Sequence, residues 1–458
     1  MNDAGPVGPG RARTPQVGSR QRGWLDSYFG LGSCDTTVRQ EAIAGLTTFL
    51  AAAYLVVVIP TLLSTGGMDR AAVTTATIAM LVVGSLAMGL YANFPFVVGP
   101  GLGGSAILGV TLTQVEHIPW ATGLGIAALS GLLFFALTVT GARTLVVRLV
   151  PRQIKQGLGA SIGLFIAMLG CRQGGLVSVN VKTNALLLAD LSQPGPVIAL
   201  TGLMVILALQ ARRIPGSMLI GIVAAALLGL PLGVSHLPET VVALPRSLEP
   251  ILFKVDFIGA VTLKALPYLF AFFAGEFFST LGTTLAIGAK AGLTDVDGNL
   301  PRIERPFLVD SVAATLGPLV GIPALTALVE SAAGAEAGGR TGLTAVFTAF
   351  CFLLTLFLTP LALVIPREAT APALIIIGVS MMQMLRGAQG NTLSDTFPAM
   401  AMVLLTLISN SFGVGIAGGI VLYVAVKIFE SGFKELSPGL VLLALPLGYY
   451  LYTAATAH

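Results

Sequence analysis

Two glutamates in this sequence are placed to do chemistry in an apolar medium. Glu276 interrupts the run Phe270-Ala271-Phe272-Phe273-Ala274-Gly275-Glu276-Phe277-Phe278. Glu330 ends the run Gly321-Ile322-Pro323-Ala324-Leu325-Thr326-Ala327-Leu328-Val329 and is followed by Ser331-Ala332-Ala333-Gly334. A charged side chain at mid-membrane costs on the order of 2.5–3.5 kcal/mol on insertion scales, so an acid kept there is a functional group by default. A carboxyl removed from water is a reversible proton site. Its ionised form also accepts two N–H bonds from one edge of a planar ligand. One acid can thus hold a heterocycle while the other carries a proton. Short hydroxyls surround both: Ser279, Thr280, Thr283 and Thr284 after Glu276, and Thr326 before Glu330.

The composition defines the medium. Of 458 residues, 55% are hydrophobic and only 10% charged, with a mean hydropathy of +0.89. Soluble domains carry about 25% charged residues. The chain is therefore read as an all-α polytopic membrane protein set in a lipid bilayer, since about 20 apolar residues make one spanning helix. The first apolar run begins only near Ala42, without a cleavage-type flank, so no secretory signal is expected. The net charge of +4 resides in short loops and points to no nucleic-acid partner. Cys34, Cys171 and Cys351 are too far apart for a disulfide framework or a metal site, and His117, His236 and His458 form no ligand pair. Walker, HExxH and nucleophile-elbow patterns are lacking, so an ATP-driven pump or an enzyme has no local support, and no cofactor is expected.

The elements that must position the two acids follow from hydropathy and loop charge. Residues 1–38, of which 1–23 are rich in Gly, Pro and Arg, are expected to be a disordered cytoplasmic tail. Spans are expected at 42–63, 71–92, a broken 94–114, 120–141, 153–171, 194–211 and 214–232, which form a first repeat over 39–232. An external loop covers 233–261. A second set, within 262–431, comprises 262–289, 305–321, a broken 322–338, 342–364, 370–385, 395–410 and 412–430. Residues 432–458 hold one more apolar segment. Basic clusters at Arg11 to Arg22, Arg143 to Arg152, Arg212-Arg213, Lys290 to Arg305, Arg340, and Lys427 with Lys434 follow even-numbered spans, which places the N-terminus inside.

The two halves look related. Pro151 and Gly163 open the fifth span of one half, and Pro366 and Gly378 that of the other, at the same offset. Each half also has a Pro/Gly-broken third segment: Val98-Gly99-Pro100-Gly101-Leu102-Gly103-Gly104-Ser105, and Gly317-Pro318 through Pro323. Seven spans per half is an odd number, so the second half runs inverted. Matched interruptions in inverted halves are the best sequence pointer to a transporter's midplane site. Half-helices are expected to begin near Gly103 and near Thr326, with N-termini that suit a substrate rich in carbonyl oxygens and aromatic nitrogens. Ser105 and Thr326 would add hydroxyls there. Glu336 and Arg340, four apart, are spaced to pair.

Specific motifs then identify a family. Gly45-Leu46-Thr47-Thr48-Phe49-Leu50, Met88-Gly89-Leu90-Tyr91-Ala92-Asn93, Pro100-Gly101-Leu102-Gly103, Ala291-Gly292-Leu293 with Asp297-Gly298, and Glu330-Ser331-Ala332-Ala333-Gly334 running into Ala337-Gly338-Gly339-Arg340-Thr341-Gly342-Leu343-Thr344 resemble the AzgA-like purine permeases of the nucleobase/ascorbate transporter superfamily. The resemblance covers nearly all of residues 38–455. It implies about 14 transmembrane segments in a 7+7 inverted repeat. Spans one to four and eight to eleven would form a core domain, and the others a gate domain. It also implies proton-coupled import of adenine, guanine or hypoxanthine, and homodimers joined through the gates. Glu276 and Glu330 match the family's acidic positions in the eighth and tenth segments. Two departures stand out: Glu276 and Ser279 replace a pair of aspartates, and Gly104-Ser105 stands where an asparagine follows a larger residue.

The sequence thus leads to a purine nucleobase importer of the bacterial inner membrane, working by proton symport. Glu276, Glu330, Gly103, Ser105, Thr326 and Phe277 would bind the base, and Glu276 and Glu330 the proton. The alternative is a transporter of the same fold for a uracil-like base, a modified purine or an organic anion.

Overall fold

The computed structural model describes residues 24–142, 150–179, 186–238, 240–295, 300–387, 392–409, 411–432 and 436–456. The basic tail 1–23, Arg143, Arg148, Lys434, His458 and the Asp297-Gly298 motif lie outside the described residues. The tail does not extend to residue 38. Trp24–Phe29 form α1, and Phe29 and Leu31 are buried against Leu343. Tyr28 Oη donates to Leu90 O (2.9 Å), and Asn93 Nδ2 donates to Phe29 O (3.1 Å). The rings of Tyr28 and Phe29 help hold this stretch down.

Each expected span holds a helix or, in the two broken segments, a strand followed by helix. In the first half these are α2 (Val38–Ala52), α3 (Leu55–Thr65), α4 (Arg70–Ala87), β1 (Val98–Pro100), α5 (Leu102–Ala106), α6 (Trp120–Val139), α7 (Arg152–Gln173), α8 (Pro194–Ala211) and α9 (Ser217–Gly229). A small hairpin, β2 (Val177–Val179) with β3 (Leu186–Leu188), lies between α7 and α8. A short α10 (Phe257–Ala260) leads to α11 (Leu266–Lys290), α12 (Glu304–Val320), β4 (Leu325–Ala327), α13 (Ser331–Glu336), α14 (Gly342–Thr355), α15 (Thr359–Leu363), α16 (Arg367–Met382), α17 (Leu393–Ser409), α18 (Phe412–Ser431) and α19 (Pro438–Thr456). Ten helices among the described residues are long and apolar enough to cross a membrane, and three shorter apolar ones accompany them.

Local chemistry sets the breaks. Thr37 caps α2 by accepting from Gln40 N, and Asp69 caps α4 by accepting from Ala72 N. In the 233–261 loop, Asp256 caps α10. The N–H of Gly259 and the hydroxyl of Thr122 both bond its carboxylate and hold it below the usual acid range. Two stretches are π-helical: Met88–Ala92, which ends at the left-handed Asn93, and Ile107–Val115, which continues α5.

The helices pack as two bodies. One contains α2–α6 with α11–α14: α6 lies on α12, and α14 on α2 and α4. The other contains α7–α9 with α16–α18, where α16 crosses α7 and α17 lies between α7 and α18. The glycines singled out by their common offset meet at that crossing. A Cβ on Gly163 would stand 2.6 Å from Gly378 O, and one on Gly378 would stand 2.4 Å from Gly163 O. Backbones this close exclude any side chain, as in small-residue packing between membrane helices.

The two broken segments meet inside the first body. β1 and β4 pair antiparallel, with Val98 opposite Ala327, Gly99 opposite Thr326 and Pro100 opposite Leu325. Irregular backbone at this depth needs such a partner, because no water is there to bond it. A Cβ at Gly99 would lie 2.4 Å from Leu81 Cδ2, so any side chain there would have to displace that leucine. The first half-helix starts at Leu102, beside the expected Gly103. The second starts at Ser331 rather than near Thr326 and has only six residues. Thr326 is a strand residue because pairing with β1 outweighs the helical tendency of its Leu and Ala neighbours.

Candidate substrate site

The site grows from this strand pair. Gly101 and Gly104 flank the start of α5, and Glu276 of α11 points between them. Its Oε1 lies 3.7 Å from where a Cβ would stand at Gly101 and 3.5 Å from that point at Gly104. The carboxylate thus lies in van der Waals contact with both glycine positions, and the ring of Phe272, 3.4 Å from the Gly104 point, walls one side. Glu276 is buried, and its Oε2 has no hydrogen-bond partner among the described residues.

One turn further along α11, Thr280 extends the polar face. Its hydroxyl donates to Asp310 Oδ2 (2.8 Å) and lies 3.1 Å from Thr326 Oγ1. Ala327 N also donates to Asp310 Oδ2 (2.8 Å). Asp310, on α12, is fully buried, and its Oδ1 has no partner among the described residues. Asp310 thus ties β4 to α11 and is a third intramembrane acid. The sequence reading missed it, although it lies within the expected 305–321 span and the rule that marked Glu276 applies to it equally.

Glu330 precedes α13 and is half-buried. Its Oε1 accepts from Tyr54 Oη at 2.5 Å, which links the second broken segment to the hinge between α2 and α3. Ser331 bridges the two segments: its Oγ accepts from Val97 N (2.9 Å) and donates to Leu328 O (2.7 Å). Replacing Ser331 with alanine leaves the buried Val97 N–H without a partner, which costs about 1–3 kcal/mol. The expected result is lower thermal stability in detergent, with uptake reduced because the strand pair loosens.

The remaining candidates divide. Gly103 faces the second body, where a Cβ would meet Ile162 Cγ2 at 3.1 Å, so it lies at the seam between the bodies. Ser105 is buried, and its hydroxyl donates back to Gly101 O (2.9 Å), which turns it away from a ligand. Phe277 does not join the acids. It is one residue, or about 100°, round the helix from Glu276. It is buried in an aromatic cluster with Phe134, Phe273 and Phe307. Glu336 pairs with Lys290 (2.5 Å) rather than Arg340, whose guanidinium instead donates to Ala335 O and Gly339 O. Among the described residues no cluster of acids, histidines or cysteines could hold a metal.

Broken segments crossing inside one helical body, with acids beside them and a second body across a seam, define a membrane carrier. Comparison with known proteins places the chain. A model described as the Permease family (xanthine/uracil permeases) matches residues 39–422, and the chain belongs to that family. It is 37% identical to a putative permease of Methanocaldococcus jannaschii over 90% of this chain and 94% of that one. It is 35% identical to the guanine/hypoxanthine permease PbuO of Bacillus subtilis, over 91% and 98%. Identity to the adenine permease AdeP of Escherichia coli is 34%, over 93% and 95%. The fold is that of the transmembrane domain of the cyanobacterial bicarbonate transporter BicA, at a TM-score of 0.62 and 14% identity, covering 83% of this chain and 97% of that one.

Proposed function

We propose that this permease imports purine nucleobases together with protons. It would work in the bacterial inner membrane with its N-terminus in the cytoplasm. The observation that carries the reading is Glu276 Oε2, a buried carboxylate oxygen with no hydrogen-bond partner among the described residues, set beside Gly101 and Gly104 at the start of α5. A buried acceptor left unbonded is destabilising. It is satisfied either by a proton or by the N–H edge of a base, and a carrier that couples the two needs this ambivalence. The names of the relatives, adenine permease and guanine/hypoxanthine permease, supply the class of base.

In this scheme Glu276 accepts the N–H groups of the base while the backbone N–H groups at the start of α5 meet its carbonyl or ring nitrogen. Thr326 closes the pocket from β4, and Gly103 is the point at which the gate's Ile162 seals it. Glu276 and Glu330, the latter held by Tyr54, are the proton-bearing pair, and Asp310, held by Thr280, is a further acid beside them. The repeats at 39–232 and 262–431 contribute one broken segment each. Two copies join through their gate bodies.

Uptake of labelled hypoxanthine into cells lacking their own purine permeases tests the reading, at acid and neutral pH and with a protonophore. Saturable uptake that collapses with the protonophore is expected. Glu330→Gln should abolish it while the protein still reaches the membrane; wild-type uptake in that variant refutes its role. One observation favours a second reading. Ser105 turns inward and Gly104 carries no side chain, so the first segment offers less to the ligand than the family's asparagine would. A uracil-like base, a modified purine or an organic anion then becomes the better substrate, and competition by unlabelled solutes against hypoxanthine decides.

A further inference from the structure

Away from the acids, a second polar cluster joins the two bodies. Glu116 ends the π-helix Ile107–Val115, and the next residue, His117, takes a left-handed backbone (φ 54°) that turns the chain sharply. Glu116 Oε1 accepts from Tyr268 Oη at 2.5 Å and from Ser411 Oγ at 2.6 Å. The two hydroxyl oxygens are themselves 3.2 Å apart. Glu116 and Tyr268 belong to the first body, where Tyr268 opens α11 and is fully buried. Ser411 belongs to the second body and caps α18. Gly413, in the first turn of α18, lets the hydroxyls approach: a Cβ there would stand 2.6 Å from Tyr268 Oη and 2.8 Å from Tyr450 Oη of α19.

We infer that Glu116, Tyr268 and Ser411 form a latch that holds core to gate on the side where the first broken segment ends, and that it opens whenever that side admits substrate. The inference rests on the two-body transport reading above. Hydrogen bonds to a carboxylate are roughly twice as strong as neutral ones, yet two of them to one oxygen can still break and re-form. Next to the latch the seam already holds a cavity of about 230 Å³, with Gln114 and Val115 on the core side and Phe165, Leu169 and Arg172 on the gate side. Opening the latch would widen this cavity. Elsewhere along the seam the contact has another character, with Lys155 of α7 over the ring of Phe278 at 4.3 Å.

The test uses full-length protein with Cys34, Cys171 and Cys351 replaced by serine and Leu169→Cys added as a reporter. The rate at which a membrane-impermeant maleimide modifies that cysteine is measured in intact cells and in inverted vesicles. Ser411→Ala and Glu116→Gln should each raise the rate by at least about tenfold from the side on which the cavity opens, the shift expected for loss of one charge-assisted hydrogen bond. A control cysteine at Leu237, in the exposed loop, should be unaffected. Rates within twofold of the parent in both variants, with normal amounts in the membrane, overturn the latch. The labelling does not depend on the solute, so a failure to detect purine uptake counts against the substrate reading alone.

Discussion

Replacing Glu276 with glutamine should reduce uptake to background. Glutamine matches the side chain in size, so the pocket between Gly101 and Gly104 keeps its shape. The exchange removes the charge and puts an N–H₂ group where an acceptor stood. Hydrogen bonds to charged groups contribute about 1.5–3 kcal/mol, which is roughly 10- to 150-fold in affinity at 1.4 kcal/mol per tenfold. The amide also cannot carry a proton, so accumulation against a gradient is lost as well as binding. Binding of the base to purified protein by calorimetry and initial uptake rates in cells measure the two losses separately. Wild-type behaviour in both would remove Glu276 from the site. Asp310→Asn should spare binding more than coupling, because Asp310 reaches the strand pair only through Thr280 and Ala327 N.

The second large effect is on stability, at Glu41. This acid on α2 is fully buried and bonded throughout. It accepts from the backbone N–H groups of Arg340 (3.0 Å), Thr341 (3.3 Å) and Thr344 (3.1 Å), and from the hydroxyls of Thr344 (2.5 Å) and Thr36 (2.9 Å). It therefore fastens the start of α14, and with it the end of the second broken segment, to α2. The neighbouring Gln40 adds a bond from its side-chain amide to Ala337 O. Glu41→Ala strands several buried donors at about 1–3 kcal/mol each, so a loss of at least about 3 kcal/mol is expected. Thermal unfolding in detergent, followed by fluorescence-detected gel filtration, should show a large drop in melting temperature and less protein in the membrane. Glu41→Gln, which keeps one acceptor oxygen, should fall between the two. Uptake per correctly inserted molecule should persist in both, in contrast to Glu276→Gln.

Much of this was readable in the sequence, for physical reasons. Hydropathy located the helical stretches because the bilayer enforces length and polarity. Pro100 with its glycines marked the first broken segment, since few backbones other than a bend or an extended piece suit that run. Glu276 and Glu330 stood out because an acid in an apolar run is costly to bury and is a functional candidate by default. Thr326 was misplaced because Leu325-Thr326-Ala327 has no intrinsic strand signal; only β1, far away in sequence, makes it a strand. Phe277 lies apart from the acids because the next residue along a helix is turned by about 100°, here into the Phe134, Phe273 and Phe307 cluster. The Glu336–Arg340 spacing suggested a pair, but Lys290 of α11 reaches Glu336 across space. The Glu116 cluster was invisible, since three hydroxyls and an acid drawn from four separate helices leave no local pattern.

The β1–β4 pair has a consequence for how the chain is made. Val98–Pro100 find their strand partner in Leu325–Ala327, about 225 residues later. At roughly 5–20 residues per second, a ribosome needs about 10–50 s to supply them. Through that interval the nascent first half carries an unfinished strand that lipid cannot bond. Insertion machinery, or a neighbouring helix, must shelter it until the second half arrives. A chain truncated before Leu325 is accordingly a substrate for membrane quality control rather than half a transporter.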